Sequence, residues 1–138
     1  MSTIRHIRFL PANPAKKHVP CHTWLIEVPQ ARLPVGVITL RLGNPVTSLY
    51  YPGHIGYRIR KPHRGHSYAS RALQQLLPEA KKLGITELWI SCRPDNLASR
   101  KTAEHNGATL QETILIPKNH EMYTQGYRHA CRYLIRIQ

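Results

Sequence analysis

Residues 61–69 read Lys-Pro-His-Arg-Gly-His-Ser-Tyr-Ala, a short basic turn with one glycine. Lys61, His63, Arg64 and His66 bring positive charge. Gly65 allows a backbone angle closed to most residues, and small Ser67 and Ala69 let another group approach the main chain. Where a helix begins at such a turn, its first N–H groups lack partners and its dipole adds partial positive charge. Together these favour an anion, with phosphate or pyrophosphate the natural ligand. The same residues also read as a plain, solvated strand-to-helix connection, because one glycine turn is a weak signal.

The elements on either side must position this turn. Residues 54–61 alternate with period two: Ile55, Tyr57 and Ile59 face one way, His54, Gly56, Arg58 and Arg60 the other. Pro62 ends the strand. Beyond the turn, Ala69, Ala72, Leu73, Leu76, Leu77, Ala80 and Leu83 recur at helical spacing and form a stripe for a core. Ser67 or Ser70 suits the N-cap and Gly84 the C′ position.

Upstream, Ile4, Ile7, Phe9 and Leu10 suggest a short first strand, and Pro11, Pro14 and Pro20 an extended loop. Residues 22–28 and 35–42 read as a hairpin, followed by a loop over 43–53. Downstream, residues 87–92 form an apolar strand. A helix is expected over 97–106, capped by Asn96 or Asp95 and ended by Gly107. Strands over 109–116 and 129–137 flank a polar loop at 117–126. Strand–helix–strand implies a parallel, right-handed crossover. The expected fold class is α/β (α+β): a mixed, mostly antiparallel sheet with a central βαβ unit and helices on its faces. One domain spans residues 1–138.

Composition bounds the function classes. The chain carries 20 Lys and Arg against 7 Asp and Glu, a net charge of +13, which predicts attraction to polyanions: nucleic acid, acidic substrates or a phosphorylated cofactor. Neither an aromatic stacking motif of the RNA-recognition type nor a helix-turn-helix pattern accompanies that charge. No apolar run reaches the roughly eighteen residues of a membrane span, and the N-terminus has no signal-peptide core. Cys21, Cys92 and Cys131 are scattered, which suits a reducing cytoplasm better than a disulfide scaffold or a metal site.

Two motifs carry a resemblance. Arg64-Gly65-His66-Ser67-Tyr68-Ala69 resembles the acetyl-CoA signature of the GNAT superfamily of N-acetyltransferases, Gln/Arg-x-x-Gly-x-Gly/Ala, with Ser67 where the central glycine usually sits. Asn96-Leu97-Ala98-Ser99, then Glu104-His105-Asn106-Gly107-Ala108, is similar to the second motif, Asn-x-Ala-Ser before a helix ending in Gly-Phe. Ala108 replaces that phenylalanine. The similarity covers residues 24–113 and is greatest to a bacterial branch of predicted acetyltransferases. It implies acetyl-CoA as acyl donor, no metal, and direct transfer to the primary amine of a small molecule or a protein.

The resemblance also implies roles. Arg64, Gly65, His66, Ser67, Tyr68 and Ala69 would hold pyrophosphate, mostly through main-chain N–H groups. Main-chain groups of Tyr57 to Lys61, chiefly Ile59 and Lys61, would bind the pantetheine arm and help polarise the thioester. Asn96 would contact pantetheine, cap its helix, or both. Ser99 could face the cofactor, and Arg100 could meet phosphate or solvent. The family's acidic tyrosine position falls on Ala103, so Ser99, Cys92 or water would have to protonate the thiolate. His54 is the first choice of general base, because it begins the cofactor strand and has a suitable intrinsic pKa. Glu27, His22 and Glu112 are the other candidates. The two helices that normally follow the first strand and wall the acceptor pocket do not fit before Trp24. Either the region is a remnant or a partner subunit supplies the wall, which makes a homodimer an expectation. A cofactor-binding module without turnover and a basic nucleic-acid-binding domain are the alternative functions.

Overall fold

A computed structural model describes residues 1–138. Seven strands and three helices follow in the order β1 (Thr3–Leu10), β2 (Cys21–Glu27), β3 (Gly36–Arg41), β4 (Ile55–Ile59), α1 (Tyr68–Lys82), β5 (Glu87–Cys92), α2 (Leu97–His105), β6 (Thr109–Leu115), α3 (Glu121–Thr124) and β7 (His129–Arg136). Every laddered pair is antiparallel. One sheet has the order β1-β2-β3-β4, the other β5-β7-β6. The mixed α+β class expected from the sequence is the one found.

The crossover differs from expectation. No parallel ladder joins β4 to β5. The strands meet at one bridge, Gly53 to Ile90, and the His54 N–H donates to the Trp89 carbonyl (2.8 Å). Gly53 is required there: its φ is +70°, and a Cβ would lie 2.9 Å from the Trp89 carbonyl oxygen. Beyond this pinch β5 spends its hydrogen bonds on β7, so β4 keeps an open edge.

The core lies between the sheets and α1. Tyr68, Ala72, Leu73, Leu76 and Ala80 are the buried face of α1 and meet Trp24, Ile26, Ile38, Leu40, Ile55, Leu88 and Ile90. Fully burying a leucine contributes about 1.5–3 kcal/mol, so Leu73 and Leu76 anchor the helix whose start builds the basic turn. Of the expected stripe, Leu83 is 45% exposed, because it is already the C-cap. Ser67 is the N-cap but makes no side-chain capping bond, and Ser70 lies inside the helix.

Residues 11–20 join β1 to β2 with a single 3-10 turn, Pro14–Lys16, and no helix. The polar loop at 117–126 contains short α3, whose N-cap His120 accepts the Met122 N–H at Nδ1 (3.0 Å). No helix is long and apolar enough to cross a membrane.

Candidate functional site

Between β4 and α1 the chain turns through Lys61–His63 and then two left-handed residues, Gly65 (φ +90°) and Ser67 (φ +60°). The backbone N–H groups of Gly65, His66, Ser67, Tyr68, Ala69 and Ser70 donate to no protein acceptor. That is an anion cradle in the literal sense: consecutive donors with the helix dipole behind them. The turn is braced before any ligand arrives. Arg64 Nε donates to the Ile59 carbonyl (3.0 Å), Arg71 Nη2 to the His66 carbonyl (2.9 Å), and Asn106 Nδ2 to the Ser70 carbonyl (3.1 Å). A Cβ on Gly65 would meet nothing within 4 Å, so glycine is needed there for its φ rather than for space. Ser67 occupies the same left-handed region with a side chain, at a conformational cost of about 1–2 kcal/mol.

The open edge of β4 leads away from this turn. The Arg60 N–H donates to the Val35 carbonyl (2.8 Å) and the Arg41 N–H to the His54 carbonyl (2.7 Å). Bonded positions alternate along an antiparallel ladder. With the β3–β4 register, His54, Gly56, Arg58 and Arg60 therefore bond β3, while Ile55, Tyr57, Ile59 and Lys61 turn their main-chain groups outward. Arg41 Nη2 takes the Ile55 carbonyl (2.8 Å) and Arg64 takes that of Ile59. The Tyr57 N–H and C=O and the Ile59 N–H are left free. Unpaired strand groups of this kind suit a ligand with amides of its own.

Below that edge, where β4 and β5 part, opens a cleft of ≈ 1090 Å³. Buried Cys92 and Ser99 and half-buried Tyr57 line its inner part, and exposed Asn96 lines it as well. Asn96 caps α2, its Oδ1 accepting the Ser99 N–H (3.1 Å). Tyr57 Oη and Ser99 Oγ lie 2.6 Å apart. Burial raises the Tyr57 phenol above its ordinary pKa, and hydrogen bonds with Ser99 and Thr102 pull it back. Burial pushes the Cys92 thiol up to about 11, so it is a neutral wall of the cleft at neutral pH. Its solvent-exposed lining, the outer end, comes from the β1–β2 connection, including Lys16, Lys17 and His18, and from Glu121 in the loop that follows β6.

The sequence-predicted residues divide. Asn96 and Ser99 line the cleft together with Ile55, Gly56 and Tyr57 of β4, whereas Gly65 to Ala69 form the turn and helix start after β4 and are not among its lining residues. Ala103 is fully buried. His54 is corrected: it is 3% exposed, does not line the cleft, and its Nδ1 accepts the Trp89 N–H (2.9 Å). Burial, with Arg41 adding to it, lowers its pKa to about 4. A ring whose free nitrogen already holds a backbone N–H is a clasp between the sheets rather than a base. Arg100 gives its Nε to Tyr133 Oη (2.9 Å) and its Nη1 to the Pro94 carbonyl (3.1 Å), which holds α2 to β7. Glu27 is ion-paired with Arg5, and Glu112 with Arg132 and bonded by Tyr50, so both carboxyls are held below their ordinary range. His22 shares a hydrogen bond with His6 (2.9 Å) and makes tilted ring contacts with His6, Phe9 and Trp24.

The side chains of Tyr57, Arg41 and Glu121 were not singled out by sequence reasoning. Tyr57 lies on the same strand face as Ile55 and Ile59, and only the phenol distinguished it. Glu121 is the one carboxylate among the cleft-lining residues.

An open-edged strand, a donor-lined turn and a cleft between diverging strands give this α+β domain main-chain donors for an anion and free strand groups beside a cavity. The profile described as "Acetyltransferase (GNAT) domain" matches residues 3–109, and the chain belongs to that family. Among solved structures it is similar to RimL, the ribosomal L7/L12 alpha-N-protein acetyltransferase in complex with coenzyme A. That match has 25% identity and a TM-score of 0.66, and covers 85% of this chain and 62% of the other. It is similar as well to the Salmonella typhimurium acetyltransferase that modifies the N-terminal serine of L7/L12, with 25% identity, TM-score 0.64, and 86% and 64% covered. A third is the microcin C7 self-immunity acetyltransferase MccE in complex with acetyl-CoA and AMP, at 21% identity, TM-score 0.65, and 91% and 64% covered; this likeness shows the fold alone. The chain spans less than two thirds of the length of these three structures. No curated protein sequence matches it.

Proposed function

We propose that this protein transfers an acetyl group from acetyl-CoA directly to a primary amine, and that the amine belongs to a protein. The observation that carries the reading is the run of unpaired N–H groups from Gly65 to Ser70, which follows in the chain on β4, the open-edged strand that carries Tyr57 to Ser99. The turn holds the pyrophosphate. The β4 edge pairs with the amides of the pantetheine arm and presents a backbone N–H to the carbonyl oxygen as negative charge develops there. Asn96 supports the arm from α2 while capping that helix. Coenzyme A bound to the RimL neighbour supports the donor, and the protein substrates of that neighbour and of the Salmonella enzyme support a protein acceptor.

Glu121 accepts the proton that the acceptor ammonium must lose before attack, and its place at the outer end of the cleft suits that task. The amine nitrogen bonds to the carbonyl carbon, the carbon–sulfur bond breaks, and the nitrogen loses its second proton to solvent, which in turn reprotonates Tyr57 once its own proton has gone to sulfur. Tyr57, with Ser99 at 2.6 Å, delivers a proton to the departing sulfur. A tyrosine arriving from β4 thereby does from the strand what the tyrosine absent at Ala103 would do from α2.

The test is acetyl transfer to a panel of peptides with free α-amines, read by thiol release and by the mass of the peptide. Acetylated peptide with equimolar thiol supports the reading. Tight acetyl-CoA binding with no acetylated amine in any peptide or small-amine pool would contradict it and leave a binding module.

A further inference from the structure

We propose that the outer end of the cleft is a subsite for an acidic polypeptide, whose free N-terminus is the acceptor. The inference rests on the acetyl-transfer reading above and adds the substrate class.

Lys16 and Lys17, in the β1–β2 connection, line the outer cleft beside His18, and Arg41 lines it from β3. The lining residues include a single carboxylate, Glu121. None of the three fixed cations is ion-paired: the ion pairs of the molecule are Arg5–Glu27, Lys82–Glu79, Arg132–Glu112 and Arg136–Glu87. Arg41 is not merely solvated surface. Its Nε donates to the Gly53 carbonyl (3.0 Å), and its Nη2 to the carbonyls of Pro52 (2.9 Å) and Ile55 (2.8 Å). Nη1 makes no hydrogen bond. A half-buried guanidinium is therefore fixed in place with one donor left over.

An amine arrives protonated, so a cleft of this sign opposes it. Entry is favourable only for an acceptor whose anionic groups outnumber its ammonium. A polyamine or a lysine-rich tail does not meet that condition; a chain with acidic residues shortly after its N-terminus does. The cleft also disfavours the ammonium relative to the neutral amine, which is the nucleophile. The wall is the end of β1 and a hairpin connection closed by the Asn13–His18 bridge, with Leu10, Pro11 and Val19 giving apolar surface beside the cations. Lys16 and Lys17 are exposed at the rim, where residues following the amine would run. The connection thereby supplies a wall that the expected helices would have made.

The experiment compares peptides of equal length with free α-amines and Glu, Gln or Lys at the third to sixth positions, using wild type and the Lys16→Glu/Lys17→Glu double variant. Acetyl-CoA affinity is measured on the same samples. The expected result is a kcat/KM for the Glu peptide about three- to tenfold above that for Gln, the range for two or more exposed charge pairs. The Lys peptide falls below both. The preference shrinks in high salt and reverses in the double variant, with acetyl-CoA affinity unchanged. Equal rates for Glu and Gln peptides would overturn the inference while leaving acetyl transfer intact. So would inhibition by an arbitrary duplex oligonucleotide at concentrations where the Glu peptide saturates, which would make the patch a nucleic-acid surface. Absent acetyl-CoA binding, in contrast, would overturn the underlying reading as well.

Discussion

Replacing His54 by asparagine separates a structural histidine from a catalytic one. In the native protein His54 Nδ1 accepts the Trp89 N–H at 2.9 Å, and an asparagine amide oxygen can occupy nearly that position, whereas no atom of asparagine titrates. The folded ring has a pKa of about 4 against an ordinary 6.5, through burial first and Arg41 second. Between those values the unfolded chain binds a proton that the folded chain refuses. Stability is therefore full above 6.5, falls as pH drops from 6.5 towards 4, and levels off with respect to this group below that. The gap corresponds to about 3 kcal/mol over the whole window, and at 3% exposure solvent screening discounts little of it. Urea unfolding followed by tryptophan fluorescence, at steps from about pH 7 to about pH 4.5, measures the slope in both proteins. His54→Asn is expected to be less stable at pH 7, from the lost ring volume, and to lose less stability on acidification, so that the two curves converge. Parallel curves would refute the buried, neutral ring. Acetyl transfer by the variant is expected to persist at pH 7, and its complete loss with the fold intact would return His54 to the role of base.

Three further outcomes follow from the site. Tyr57→Phe keeps the ring but removes the hydroxyl bonded to Ser99; turnover should fall about 10²-fold with acetyl-CoA affinity retained, and unchanged turnover would remove Tyr57 from the mechanism. Asn96→Ala deletes the cap on Ser99 N–H and should destabilise by about 1 kcal/mol, measured by urea unfolding; cofactor affinity falls as well if the same amide touches the arm. Ser67→Gly relieves a left-handed φ of +60° and should leave stability within about 1 kcal/mol of wild type, strain relief offsetting unfolded-chain entropy, while acetyl-CoA binds more tightly; weaker binding would show that the serine hydroxyl holds the ligand.

Much of this arrangement was legible where the signal is local. The alternation of Ile55, Tyr57 and Ile59, the stripe of Leu73 and Leu76, the glycine at 65 and the Asn96 cap each follow from residues a few positions apart. What was hidden is tertiary. Nothing near Gly53 announces that β4 and β5 touch once and then part, because β5 is taken by β7, some forty residues further along the chain. The period-two pattern could assign Tyr57 a face but not a partner, since Ser99 reaches it from another element. His54 looked available because its intrinsic pKa is suitable, but the bond to Trp89 and the burial that change it come from β5. The β1–β2 connection read as a loop lacking the expected helices, and only its position against β3 and α3 shows it to be a wall of the cleft.

The account turns on the donor-lined turn between β4 and α1. Calorimetric titration of acetyl-CoA into wild type and into Gly65→Glu tests it most directly. A Cβ there would meet nothing within 4 Å, but the substitution puts a carboxylate near the free N–H groups and a side chain at φ +90°. Saturable binding by wild type, lost in a variant whose circular dichroism is unchanged, is the predicted result. Equal binding by both proteins, or none by folded wild type, would contradict it.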